Sequence, residues 1–151
     1  MATYSEQMQS LAAQYQQQTG ATTFTLVDVG AWALDNGMWA PTRSTILRQF
    51  SAELSKALRE AFVADPQGRR IRAKHAVRRG AEQPPLWGDI FTAPREHMQR
   101  AFAQRREQIV NDCRQLRTDV DSYNENLNTE LPIQMVFDFT DDLNELSYVM
   151  A

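Results

Sequence analysis

The chain has 151 residues, of which 42% are hydrophobic, so it can form one compact core with an appended helix but is too short for two ordinary domains. We expect a cytoplasmic protein, because no apolar run approaches the roughly 20 residues that cross a bilayer, the N-terminal residues lack a basic and apolar leader, and the single cysteine cannot form an internal disulfide. The net charge of -3 disfavours nucleic acid as a partner, but it conceals a basic middle and an acidic C-terminal part.

Two helices are predicted at the start of the chain. Apolar residues recur at helical spacing over residues 4–18, and Gly20 is a stop signal. Thr25 is suited to cap a second helix, which Gly37 would end.

The third helix, predicted over residues 42–62, has no internal glycine or proline and carries two different flanks. A basic and hydroxylated flank arises because Arg48, Ser55 and Arg59 fall together at about 100° per residue. The other flank is apolar and is expected to face the core; its residues are Leu47, Phe50, Leu54, Leu58 and Ala61.

A β-hairpin is predicted over residues 63–79, where the sequence DPQG is a turn signal between two segments that can extend. In the second segment apolar and cationic residues alternate with a period of two, which is typical of a strand with one buried and one solvated face. The buried face is expected to hold Ile71, Ala73, His75 and Val77. The paired prolines that follow predict a linker over residues 81–92.

A long helix is predicted over residues 93–126, followed by a strand at 132–139 and an acidic tail. Eight positions recur along it at spacings of three and four, and all but Arg106 are apolar: Phe102, Arg106, Ile109, Cys113, Leu116, Val120, Tyr123 and Leu127. Such a stripe packs either on the same chain or on a second copy. A helix of about 35 residues extends about 50 Å, more than this chain can cover, which favours a homodimer. The predicted dimer interface is Phe102, Ile109, Cys113, Leu116, Val120 and Tyr123.

The order of elements over residues 4–80 resembles that of the winged helix-turn-helix DNA-binding superfamily. It consists of two helices, a longer amphipathic helix and a basic hairpin. The resemblance implies a mainly α fold with a small β-hairpin, to which this chain adds a long C-terminal helix. It implies a winged-helix domain at 1–80, with the linker at 81–92 and the dimerisation part at 93–151 to follow. It also implies that the third helix enters the major groove while the hairpin lies on the phosphate backbone. The stretches RAKHAV and CRQLRTDVDSYN are similar to parts of uncharacterised bacterial proteins.

The charge distribution favours nucleic-acid binding independently of that resemblance. Residues 43–106 hold fourteen basic and six acidic side chains, a net +8, whereas the part from Glu107 onward holds two basic and ten acidic ones, a net -8. Phosphate binding needs several cations on a rigid surface. The candidates on the third helix are Arg43, Ser44, Thr45, Arg48, Ser55 and Arg59, and those on the hairpin are Arg69, Arg70, Arg72, Lys74, Arg78 and Arg79. The alternative is an ordinary solvated surface that the acidic tail balances.

We therefore expect double-stranded DNA binding by a dimeric transcriptional regulator. A second hypothesis is a helical adaptor that joins a larger complex through the long helix and the strand at 132–139, with residues 132–151 as the contact to a protein partner. RNA binding is a third class, although the basic part has few aromatic residues for base stacking.

No catalytic site, cofactor or metal is expected. A nucleophilic pair would have to combine Cys113 with His75 or His97, but Cys113 lies on the apolar stripe, His75 is expected to be packed, and His97 to be exposed. Zinc would need several Cys or His ligands at short spacing, and no phosphate-binding loop motif occurs. The acidic side chains of the tail are expected to be solvated or to contact a partner; they are Asp138, Asp141, Asp142 and Glu145.

Overall fold

Five helices and two short antiparallel hairpins make up residues 1–150, the part of the chain that the computed structural model describes, with side chains described as far as residue 147. The helices are α1 (Tyr4–Thr19), α2 (Leu26–Asp35), α3 (Arg43–Arg59), α4 (Arg95–Asn126) and α5 (Thr140–Met150). The strands are β1 (Phe62–Ala64), β2 (Arg70–Arg72), β3 (Lys74–Val77) and β4 (Leu86–Asp89). The mainly helical class, the hairpin after the third helix and the long helix agree with the prediction.

The chain divides into two compact units, Met1–Ala57 and Leu58–Ala151. The first unit contains α1, α2 and most of α3, and the second contains both hairpins, α4 and α5. None of the helices in the described residues has a segment long and apolar enough to cross a membrane.

Local capping defines α1 and α2 in the first unit. The Thr3 hydroxyl accepts a hydrogen bond from the Glu6 N–H (3.1 Å), and the Glu6 carboxylate accepts one from the Thr3 N–H (2.7 Å), which completes a capping box. Gly20 ends α1 in the left-handed region, with a φ of 72°. Thr25 caps α2 as predicted, by accepting a 3.1 Å hydrogen bond from the Asp28 N–H. Because these interactions are local, the sequence alone located both helices.

An aromatic cluster packs α1 against α2. The ring of Tyr15 meets Trp32 edge-on, with 5.9 Å between the ring centres, and meets Phe24 in the same way at 6.3 Å. Ala33 is the buried residue of α2. Aromatic contacts thus supply much of the packing in a unit that buries few side chains.

The apolar flank of α3 is exposed along most of the helix, against the prediction that it faces the core, and only Leu58 and Ala61 at the C-terminal end of the flank are half-buried. Phe50 is 61% exposed, and Leu47 and Leu54 are also exposed. Helical periodicity located the helix correctly, but periodicity cannot determine which surface covers an apolar flank.

In the second unit, residues 70–77 form a nearly continuous extended run that pairs first with β1 and then with β4. Ala73, between β2 and β3, donates its N–H to the Ala61 carbonyl (2.9 Å) and accepts the Ile90 N–H (2.8 Å). β4 therefore lies in the segment predicted to be a linker, and it forms the second hairpin with β3. The registers are Phe62↔Arg72, Val63↔Ile71 and Ala64↔Arg70 in one hairpin, and Lys74↔Asp89, His75↔Gly88, Ala76↔Trp87 and Val77↔Leu86 in the other.

The predicted alternation along this run is confirmed. Ala73, His75 and Val77 are buried and Ile71 is half-buried, and α4 packs on β3 through its own buried residues Met98 and Ala101. The first turns of α4 and the inner face of the run thus form the core of the second unit.

After α4 the chain turns back. The Asn124 side chain holds the Ile133 backbone, donating to its carbonyl (2.8 Å) and accepting from its N–H (2.9 Å). The strand predicted over 132–139 was wrong, because these residues, all of them described, pair with no other strand. The helix α5 follows them in the segment predicted only as an acidic tail, and the Asp138 carboxylate accepts the Thr140 N–H (3.1 Å) at its start.

Candidate nucleic-acid interface

One carboxylate holds the turn of the β1–β2 hairpin. Asp65 accepts hydrogen bonds from the backbone N–H groups of Gln67 (3.0 Å) and Arg69 (2.7 Å) and from Arg69 Nε (2.7 Å). Gly68, with a φ of 80°, supplies the left-handed residue of the turn. Burial alone would raise the pKa of Asp65, but the hydrogen bonds and the charge of Arg69 outweigh it and hold this pKa below its ordinary value. The hairpin therefore has a well-defined end.

The outer face of residues 70–77 is cationic, as predicted, because Arg70, Arg72 and Lys74 alternate with the buried side chains. The Arg70 guanidinium lies over the ring of Phe62 on β1, 4.0 Å from its centre. Lys74 Nζ donates to Asp89 Oδ2 at 2.8 Å, across the β3–β4 register. This hydrogen bond lowers the pKa of Asp89 below its ordinary value.

Arg78 and Arg79 lie just beyond β3, where the backbone is hydrogen-bonded to the Gln104 side chain of α4. The Gln104 side chain accepts the Arg78 N–H (2.7 Å) and donates to the Arg78 carbonyl (3.0 Å). The Arg79 guanidinium donates to the Pro84 carbonyl (3.0 Å), and both arginine side chains are exposed. Two further cations are thus held at the end of β3.

The hairpin cations differ in their partners. Arg69 and Lys74 are each ion-paired to a carboxylate, whereas Arg70 and Arg72 form no ion pair with the side chains that the structure describes. An ion-paired cation gains less from a phosphate, because the phosphate must replace an existing partner. Arg70 and Arg72 are therefore the stronger candidates of the four.

Sequence reasoning missed Arg105, an α4 residue that lies near Arg72. Desolvation and the positive charge of Arg72 lower the pKa of Arg105, although an arginine remains charged at neutral pH. No carboxylate forms an ion pair with either residue in the described part of the chain. Two like charges that act on each other without an acid between them are stabilised by an anion that binds beside them. No local sequence signal indicates this pair, because the two residues lie on different elements.

The candidate residues of α3 do not all lie on one flank. Helical geometry places Arg43 on the apolar flank, opposite the basic one. The Arg48 guanidinium lies over the ring of Tyr4 in α1, 4.2 Å from its centre, so this arginine is held against its own unit. The other candidates share the basic flank or its edge; they are Ser44, Thr45, Ser55 and Arg59.

The predicted dimer stripe on α4 is only partly covered. Phe102, Ile109 and Cys113 line a groove together with Phe137 and Phe139 from the returning chain. Leu116 and Tyr123 are exposed, and Val120 is half-buried. The chain's own C-terminal part therefore occupies one side of the surface predicted for a second copy.

Two histidines lie beneath the hairpin. His75 is only 7% exposed, its Nε2–H donates to the Arg72 carbonyl (2.9 Å), and its ring meets Phe102 edge-on at 5.3 Å. His97 is half-buried, in contrast to the prediction, and its Nε2–H donates to the His75 carbonyl (3.0 Å). Both rings must carry a proton on Nε2, because a carbonyl can only accept. They orient the strand that carries Arg72.

The buried His75 predicts that stability decreases in mild acid. Burial lowers the pKa of His75, and the nearby charges of Arg105 and Arg72 lower it further, against an opposing contribution from the hydrogen bond to the Arg72 carbonyl. The unfolded chain, with the ordinary histidine pKa of about 6.5, then binds the proton first. Stability is therefore complete above about pH 6.5 and falls as the pH drops below it, by at most about 1.4 kcal/mol per pH unit for one group.

Urea unfolding of wild type and His75→Gln between about pH 5.5 and 7.5 measures this effect. Glutamine keeps an N–H donor but does not titrate, so its unfolding midpoint should depend less on pH. An equally steep dependence in both proteins would exclude His75 as the cause.

The described residues contain no group of three or more His, Cys, Asp or Glu side chains that could hold a metal ion. Cys113 is half-buried on α4. No protein-family model matches the chain, and no curated protein or solved structure is significantly similar to it.

Proposed function

We propose that the protein binds double-stranded DNA, with Arg72 and Arg105 as the centre of a phosphate-binding surface. The observation that carries this proposal is that Arg72, on the cationic outer face of residues 70–77, and Arg105 of α4 both lack a carboxylate partner among the described side chains, while the charge of Arg72 contributes to lowering the pKa of Arg105. A DNA phosphate would relieve their repulsion and release condensed counterions. Arg70, on the same strand face as Arg72, extends the surface along the hairpin.

The proposal includes the winged helix-turn-helix arrangement that the order of elements resembles. The hairpin then lies on the phosphate backbone, and α3 is the recognition helix whose basic flank contacts base edges. The contact of Arg48 with Tyr4 supports this role by orienting a guanidinium before binding. A dimer would present two such helices to half-sites, as in a transcriptional regulator.

Titrating the full chain onto duplex DNA, single-stranded DNA and duplex RNA of matched length, at several salt concentrations, tests the proposal. We expect duplex DNA to bind most tightly, with the logarithm of the binding constant falling linearly with the logarithm of salt concentration, at a slope of about -3 to -5 for each copy. Binding that does not depend on salt, or that is tighter to single strands or RNA, would contradict it.

A second candidate function is the helical adaptor. Exposed apolar residues support it, since Val136 in the segment 132–139 is 79% exposed and the apolar flank of α3 is exposed as well. The same titration separates the two candidates, because an adaptor leaves duplex DNA unbound even at low salt, where nonspecific attraction to phosphate is strongest.

A further inference from the structure

The returning C-terminal chain and α4 enclose an open groove of about 880 Å³ within the second unit, which we call the α4 groove. Its walls are largely apolar, so an occupant must offer apolar side chains. The apolar residues that line it are Phe102, Ile109, Val110, Cys113, Phe137, Phe139 and Leu143.

Four arginines of α4 also line this groove: Arg105, Arg106, Arg114 and Arg117. None of them forms an ion pair with a side chain in the described residues. Four cations beside an apolar surface repel one another, and an acidic occupant would relieve this repulsion. The α4 groove is therefore complementary to a partner that carries both acidic and apolar side chains.

The chain itself contains a segment of this chemistry. Asp141 and Asp142 lie in the first turn of α5, and Glu145 follows them. Leu143 and Leu146, three residues apart, are 63% and 58% exposed. α5 is thus an acidic helix with two leucines that are more than half exposed.

Among the side chains that the structure describes, α5 reaches the α4 groove of its own chain through Leu143. It begins at Thr140, directly after Phe139, whose ring packs edge-on against Phe137 at 6.5 Å in the groove wall. The first turn is already closed, because the Leu143 N–H donates to the Phe139 carbonyl (2.9 Å). The helix therefore follows the groove wall without a connecting residue, and among the described side chains of α5 Leu143 lines the groove.

We propose that the α4 groove receives α5 from a second copy of this chain, and that each copy does the same for the other. Such a reciprocal exchange closes a symmetric dimer in which the carboxylates of each α5 face Arg114 and Arg117 of the partner, about 14 to 18 Å along α4 from Arg105, which is left to bind DNA phosphate. This inference specifies the dimer in the proposed function. Its test contains no DNA. A negative result would therefore exclude this dimer but not DNA binding, which the titration tests separately.

A charge-exchange experiment tests the pairing. Molar mass is measured by light scattering over a range of concentrations for wild type, for Arg114→Glu with Arg117→Glu, and for Asp141→Lys with Asp142→Lys. We expect the wild type to have the mass of two chains and each double variant to have the mass of one, because groove and helix then carry charges of the same sign. Mixing the two variants should restore the mass of two chains, since both pairings across the dimer become complementary.

The control is Arg95→Glu with Arg100→Glu, which reverses two α4 charges outside the groove and should leave the dimer intact. The single cysteine, Cys113, gives a second measurement, because it lines the groove. A thiol reagent should modify it more slowly as the wild-type concentration rises, but at a constant rate in the unmixed groove variant. A wild-type mass of one chain at every concentration, or a mixture that stays monomeric, would overturn the proposal.

Discussion

Replacing Arg72 and Arg105 together by alanine is expected to weaken duplex-DNA binding about 10- to 100-fold at about 0.1 M salt and to reduce the salt slope by about two units. Each cation that neutralises a phosphate contributes about 0.9 to that slope, and neither arginine has a carboxylate to compensate it in the described residues. The fold should remain intact, because the buried side of the run belongs to Ala73, His75 and Val77.

The matched control for this pair is Lys74→Ala with Asp89→Asn, which removes an ion pair from the same strand without changing the net charge. We expect it to bind DNA almost as wild type does, because the two charges already cancel locally. Fluorescence anisotropy with a labelled duplex measures both variants. An equal loss in the two would assign binding to the general shape of the hairpin, and no loss in the arginine variant would remove this surface from the mechanism.

Replacing Gly88 by alanine is expected to lower the free energy of unfolding of the second unit by about 1 to 3 kcal/mol. A Cβ atom at this position would lie 2.9 Å from His97 Nε2 and 3.0 Å from the Ala93 Cβ, both closer than ordinary packing permits. The His97 ring cannot move away easily, because it donates to the His75 carbonyl. The substitution therefore either displaces β4 or breaks that hydrogen bond.

Gly30→Ala in α2 is the control, since a Cβ there meets no atom within 4 Å. It should be neutral or stabilising by about 0.5 to 1 kcal/mol, because alanine is the better helix former. Urea unfolding together with amide exchange of the β3 residues measures both variants. The double variant Gly88→Ala with His97→Ala should recover part of the loss if the clash is the cause, and strictly additive losses would contradict that cause.

The sequence alone determined the features of this protein that depend on neighbours a few residues apart. Thr25 caps α2 and Asp65 organises the hairpin turn through bonds to residues two to four positions away, and the period-two pattern after the turn identified the inner face of the run. These signals do not depend on the rest of the fold, so they can be identified without it.

Only the tertiary structure decided which segments and charges meet. β4 is four residues long in a segment rich in glycine and proline, and it is a strand because it pairs with β3. Residues 132–139 alternate as a strand should, but they pair with no strand in the described chain. In the same way Lys74 is neutralised by Asp89 while Arg72 lies near Arg105, although all four were simply charged residues in the sequence. The physical reason is that strand pairing and charge interaction depend on distance in space, which the folding of the whole chain sets and a local pattern does not contain.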